Sequence, residues 1–186
     1  MALAAGARLE SQSPADPLAA VVIRDVTVVD VVAGTLRRHT TVVIVGRRIT
    51  RVGPATAVSA PRGSRVIDGS GRYLIPGLWD MHSHSLWSLE AMRSFLPLYV
   101  SQGVTGIRDM GGTLPVLAAF RDSMSRGDPA WPRVIAAGSI IDGPKPVQAE
   151  ISFAVGDSAA AIAAVDSLAR ARVDFIKVYT LLPRDA

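Results

Sequence analysis

The chain contains no cysteine among its 186 residues. Disulfides, thiolate zinc sites and cysteine nucleophiles are excluded together, and the redox compartment stays open. Aromatic residues are sparse at 5%, which leaves no aromatic-interleaved basic stripe of the kind that binds nucleic acid. Lysine is scarcer still. Only Lys145 and Lys177 occur, so arginine carries the net charge of +4 and the sequence pI of about 10.1. The arginines lie singly or in pairs, as at Arg37-Arg38 and Arg47-Arg48, and read as a solvated surface. No run approaches the roughly 20 apolar residues of a membrane span. The opening "MALAAGARLESQSPADPLAA" also lacks the apolar centre of a signal peptide. The expectation is a cytoplasmic protein with neither a nucleic-acid nor a membrane partner.

What is present belongs to an ordinary globular protein: 49% hydrophobic and 19% charged residues. Residues 1–20 read as a flexible lead-in. Residues 21–75 read as a small β-domain. "VVIRDVTVVDVV" is rich in β-branched residues, and "TTVVIVGRRITRVGP" reads as two strands joined at Gly46-Arg47. "RVIDGSGRYLIPG" adds short extended pieces. After Pro76 the pattern alternates. Residues 78–84 form a strand candidate, and "SLEAMRSFLPLYVSQG" a helix stopped at Gly103. "VTGIRDM" is a strand, followed by a helix capped by Thr113 and ended at Gly127. "RVIAAG" is a strand, "DSAAAIAAVDSLARAR" a helix capped by Asp157, and "VDFIKVY" a fourth strand. Strand and helix repeated this way predict a parallel sheet with crossover helices, spaced as in a (β/α)8 barrel. Residues 76–186 therefore read as the first half of such a barrel, with α/β class overall.

The chain has three histidines, and two of them stand in "GLWDMHSHS". At the end of a strand, His82 and His84 share a face, because side chains alternate with period two. Two imidazoles roughly 6.5 Å apart along one face can converge on one metal ion. Asp80 shares that face on the same alternation and is placed to orient a ring. Alternation also groups Phe175, Lys177 and Tyr179 on one face of the fourth strand, with Ile176 and Val178 toward outer helices. Asp109 closes the second strand, where barrel active sites cluster. It also fits a plain turn with Gly111 and Gly112 behind it. Tyr179 reads as wall packing and His39 as surface. "DMGGTLP" is no phosphate loop, since it lacks the glycine-rich pattern and the lysine.

"LIPGLWDMHSHS" resembles the signature that opens the barrel of the amidohydrolase superfamily, metal-dependent hydrolases with an HxH pair on the first strand. "GVTGIRDMGG" and "VDFIKVY" resemble second- and fourth-strand motifs of its subgroup near imidazolonepropionases and Xaa-Pro dipeptidases. The preceding β layer resembles the sandwich-like composite domain that many members build from both chain ends. The similarity runs from about Val21 to the end of the chain. It implies that His82 and His84 bind a divalent metal, most often zinc, and that Lys177 matches a lysine carbamylated in binuclear members. It implies hydrolysis of an amide-like C–N bond in a small molecule, a dipeptide or a cyclic imide. Complete members draw two further histidines from the fifth and sixth strands and a general-base aspartate from the eighth, none of which is present here. The expectation is thus the N-terminal part of such an enzyme, inactive alone and prone to self-association. The runner-up is a non-catalytic remnant, or one piece of a split enzyme with a complementing chain.

Overall fold

The computed structural model describes residues 20–127 and 131–184. The chain divides into two compact units, Met1–Pro76 and Gly77–Ala186. The lead-in expected over residues 1–20 lies outside the described residues, apart from Ala20, which already opens the first strand.

The first unit holds β1 (Ala20–Asp30), β2 (Thr35–Val45), β3 (Arg48–Pro54), β4 (Arg65–Asp68) and β5 (Tyr73–Leu74). They form one sheet of order β3-β2-β1-β4, with β5 also paired to β1. The hairpin strands β1, β2 and β3 run antiparallel, while β4 and β5 lie parallel to β1. Ala20, Val22, Val26, Val42 and Val43 are buried in it. Strand β2 begins at Thr35, earlier than the β-branched run suggests. Residues 35–39 are all exposed, so their side chains carry no alternation signal, yet Thr35, Leu36 and Arg37 pair with β1. The pairing slips around Asp25, which sits at φ 56°, and His39 sits at φ 49°. A β-bulge of this kind twists and bends the strand. His39 Nδ1 lies 2.8 Å from Asp25 Oδ1, on the surface as expected. The described residues of this unit make a single sheet, with no second layer of strands among them.

The second unit opens with β6 (Leu78–Ser83), α1 (Leu89–Ser101), β7 (Val104–Asp109), α2 (Leu114–Ser125) and β8 (Arg133–Ala136). The three strands pair in the order β6-β7-β8, all parallel. Parallel neighbours need a crossover, and the helices supply it. Each helix starts where a polar side chain satisfies an orphan N–H. Ser88 accepts from Ala91, Thr113 from Val116 and Asp157 from Ala160. The faces toward the sheet form one apolar cluster: Met92 and Leu96 of α1, Val116, Leu117 and Phe120 of α2, and Ile107 of β7. Beyond β8 come β9 (Ile140–Asp142), a 3-10 turn (Ala149–Ile151), β10 (Ser152–Ala154) and α3 (Ser158–Arg170). Strands β9 and β10 form a separate parallel pair that sequence patterning did not reveal. Each is three residues long, too short to show a period. Helix α3 packs Ala164 and Leu168 with Ile141 and Val155.

The fourth strand expected at "VDFIKVY" is not formed; one bridge, Ile141 to Val178, takes its place. The reason lies in the neighbouring chain. Strand β8 stops at Ala136, and Gly138 at φ 67° turns the backbone before β9 resumes at Ile140. The run is therefore tied at two separate points. Asp174 N–H donates to the Ala136 carbonyl at 2.9 Å, and Ile141 N–H donates to the Lys177 carbonyl at 2.9 Å. Ile176 and Val178 do not pack against outer helices as alternation suggested; they are 42% and 54% exposed. Helix α3 commits its buried face to β9 and Val155 instead. No helix among the described residues is long and apolar enough to cross a membrane.

Candidate functional site

His82 lies on β6 and His84 just past its end. Simple alternation does not describe this stretch. Asp80 pairs with Ile107 and Ser83 with Asp109, so β6 carries one residue more than β7 between the same two points. The irregularity lies between Asp80 and Ser83, the stretch that holds His82. Asp80 Oδ1 accepts the backbone N–H of His82 at 2.9 Å and so serves the bulge itself. No hydrogen bond joins Asp80 to either imidazole among the described residues.

The two rings nevertheless come together. Their centroids are 5.5 Å apart with planes inclined by 51°. Imidazoles bonded at about 2.0–2.1 Å to one tetrahedral zinc ion have centroids on the order of 5 Å apart, so the observed separation suits a shared ion. His84 Nδ1 lies 3.0 Å from the Gly111 carbonyl oxygen. A carbonyl only accepts, so Nδ1 carries the proton and the Nε2 lone pair of the neutral ring is free to bind a metal. On these two observations the histidine pair fits a divalent ion. Among the described residues no group of three or more His, Asp or Glu side chains is gathered around one point.

Lys177 is half-buried, and its Nζ stands 5.3 Å from the centre of the Tyr179 ring. No hydrogen bond links its side chain to His82 or His84 among the described residues. Arg108 of β7 fills neighbouring space: its Nε donates to the Met81 carbonyl at 2.9 Å, and its guanidinium lies 5.7 Å from the Phe175 ring centre.

Asp109 is fully buried at the end of β7. Its Oδ2 accepts from the backbone N–H groups of Ser85 at 2.6 Å and Leu86 at 3.1 Å, and Oδ1 from Gly111 at 3.3 Å. Burial pushes its carboxyl above the usual range, against the pull of those N–H groups and of His84. The hydroxyls of Ser83 and Ser85, on either side of His84, are buried and find no hydrogen-bond partner among the described residues.

A cavity of about 660 Å³ adjoins His84, walled by Trp87, Phe95, Val147 and Ile151 with Glu150 on its lining. That volume is in the range of small-molecule sites. Its far wall belongs to the segment after β9, and Asp142 holds that segment in place. Asp142 is fully buried and accepts from the N–H groups of Gly143 (2.9 Å), Val147 (2.9 Å) and Leu181 (2.7 Å). Sequence reading missed both Asp142 and Glu150. The available signal was the short run "SIIDG" with its closing Asp-Gly.

Burial pulls the Asp142 carboxyl up, but the three backbone donors together outweigh it and hold the pKa below the usual range. A folded value below the unfolded one, about 3.9, means stability that is present above pH ~4 and lost as pH falls through the folded value. Asp142→Asn is expected to cost about 1.5–3 kcal/mol at neutral pH, the range for hydrogen bonds to a charged group. Urea midpoints of the two proteins should converge as the pH is lowered below ~4. A gap that stays constant down to acid pH would contradict this assignment.

No family profile matches the chain. Adenine deaminase 3 of Rhizobium meliloti (strain 1021) is 33% identical over 94 residues, which is 50% of this chain and 15% of that protein. The structure of a candidate prolidase from Bifidobacterium longum is 25% identical with a TM-score of 0.77, over 89% of this chain and 42% of the other. A prolidase solved with N-methylphosphonate-L-proline is 26% identical with a TM-score of 0.72, over 86% and 46%. The chain thus spans less than half the length of each of these proteins. The class that the fold and these likenesses define is a mixed α/β fold built on parallel strands and crossover helices, shared with the prolidase structures. Over the part of each protein that it covers, these likenesses support a kinship of the chain with the amidohydrolase superfamily.

Proposed function

We propose that this chain supplies the β-domain and the first strands of a metal-dependent amidohydrolase barrel that hydrolyses an amide-like C–N bond in a small molecule or dipeptide. The observation that carries the reading is the histidine pair, 5.5 Å between ring centroids, with the His84 proton fixed on Nδ1 by the Gly111 carbonyl. His82 and His84 would hold the first divalent ion, most suitably zinc, and Lys177 as a carbamate would contribute oxygen ligands to a second. A bound ion of this kind lowers the pKa of a coordinated water and polarises a substrate carbonyl. The protein groups perform the supporting work. The Gly111 carbonyl orients the His84 ring, Asp109 holds the turn behind it, and Asp142 holds the cavity wall on which Glu150 stands. The apolar sides of that cavity, Trp87, Phe95, Val147 and Ile151, suit the non-reacting part of a small substrate. In this reading β6, β7, β8 and the run at Lys177 are the first four positions of the barrel. The five-stranded sheet would be one layer of a composite domain.

A second reading, one part of a split enzyme completed by another chain, draws on a specific feature of β6. Leu78, Trp79 and Met81 are 50%, 41% and 52% exposed, and β6 has a strand partner on one side only among the described residues. Apolar strands with an open edge recruit other chains. Both readings require further strands, and both lead to the same expectation for residues 1–186 in isolation. Zinc binds weakly, the chain self-associates, and dipeptides, amides and cyclic imides are not turned over. Equilibrium dialysis against zinc, sedimentation velocity and a hydrolysis panel measure the three. Turnover by a monomer that disappears in His82→Ala would refute the need for further strands, and failure to take up zinc at all would refute the metal site.

A further inference from the structure

We infer that Asp109 is a positioning residue for His84, setting which ring nitrogen carries the proton and where the ring points. Asp109 touches neither ring nitrogen. Its carboxylate grips the chain on both sides of the ring's surroundings: the N–H of Ser85, directly after His84, and the N–H of Gly111, whose carbonyl receives the His84 proton. A neutral side chain of the same shape cannot do this, since both carboxylate oxygens accept and an amide replaces one acceptor by a donor.

The backbone around the clamp leaves little freedom. Met110 N–H donates to the Ser83 carbonyl at 2.8 Å, Thr113 N–H to the Leu86 carbonyl at 2.9 Å, and Gly112 N–H to the Gly138 carbonyl at 2.9 Å. The ring also needs Gly111 to lack a side chain. A Cβ there would stand 3.2 Å from His84 Cε1 and 2.6 Å from Ile140 Cδ1. The acid, the glycine and the histidine therefore act as one unit spanning β6 and β7. Its product is a His84 ring with Nδ1 protonated and Nε2 bare. The functional value of that product rests on the metal-binding reading above; the geometry itself does not.

The test measures the ring directly, without metal. With ¹⁵N-labelled histidine at one pH where imidazole is neutral, ~8, wild-type His84 should show a single tautomer, protonated at Nδ1 and bare at Nε2. In Asp109→Asn, with the backbone amide spectrum otherwise retained, His84 should become a mixture while His82, whose ring Asp109 does not support, stays unchanged. Asp109→Glu keeps the charge but displaces the oxygens by a methylene, and His84 should lose its single tautomer there too. Zinc affinity should fall 10- to 100-fold in either variant, the size of effect typical of groups that orient a metal ligand. A wild-type ring that is protonated at Nε2, or mixed, overturns the inference whatever the variants do. A folded Asp109→Asn protein with unaltered His84 also overturns it, and failure of both variants to fold makes Asp109 a folding residue and not a positioning one. Absence of zinc binding by a wild-type chain whose tautomer is as stated would refute the proposed function and leave this inference standing.

Discussion

Replacing His82 or His84 by alanine is expected to weaken zinc binding by on the order of 100-fold or more. Loss of a group that only orients a ligand costs 10- to 100-fold, and loss of the ligand itself costs at least as much. The expectation follows from the paired geometry. The rings are 5.5 Å apart, and the Gly111 carbonyl, by accepting the Nδ1–H of His84, leaves Nε2 as the nitrogen of that ring free to meet an ion. Each variant removes one of two nitrogen donors and leaves the other with no nearby His, Asp or Glu cluster among the described residues to compensate. His39 is the internal control. It lies in the other unit, exposed and engaged with Asp25, and His39→Ala should leave zinc affinity unaltered. Competition with a chromophoric chelator separates these outcomes. Equal affinities for all three alanine variants would place the zinc elsewhere.

The second large effect is on stability. Ile107→Ala is expected to destabilise the second unit by about 2–5 kcal/mol, and Ile107→Val by only about 0.5–1.5 kcal/mol. Ile107 is completely buried at the middle of β7, in the cluster that joins Met92 and Leu96 of α1 to Val116, Leu117 and Phe120 of α2. Removing its outer methyls opens a cavity bounded by two helices and a hydrogen-bonded sheet. None of these can close the space by a side-chain rotation alone. The neighbour two residues on is Asp109, so the same strand carries the core on one residue and the His84 clamp on another. Urea titration followed by circular dichroism reads the cost. A loss below 1 kcal/mol for Ile107→Ala would mean that α1 and α2 do not rest on this strand as described.

Several features of the site were legible in the residues because their causes are local. Thr113 and Asp157 cap their helices as expected, since a short polar side chain reaches an N–H within its own first turn. The parallel arrangement of β6, β7 and β8 follows from strands separated by single helices. The pair in "HSH" was conspicuous in a chain with three histidines. Other features were not legible. The bulge in β6 depends on how Asp80 and Ser83 pair with residues of β7, which alternation within β6 says nothing about. The break in the fourth run depends on where β8 ends and on the turn at Gly138, both far from Lys177 in sequence.

By itself, then, the sequence determined the class of the fold, the helix starts, the crossover order and the two histidines as metal-ligand candidates. Each of these is decided by residue type and spacing within about one helical turn or strand. Only the tertiary structure decided that Asp80 serves a bulge and not a ring. The same holds for Asp109, which grips N–H groups 23 and 24 residues before it, and for Asp142, which ties Leu181, 39 residues ahead, to the wall of the His84 cavity. A carboxylate's partners are chosen by the orphan N–H groups that the folded chain brings to it. Burial then makes those bonds obligatory, because an unpaired charge or amide away from water is costly.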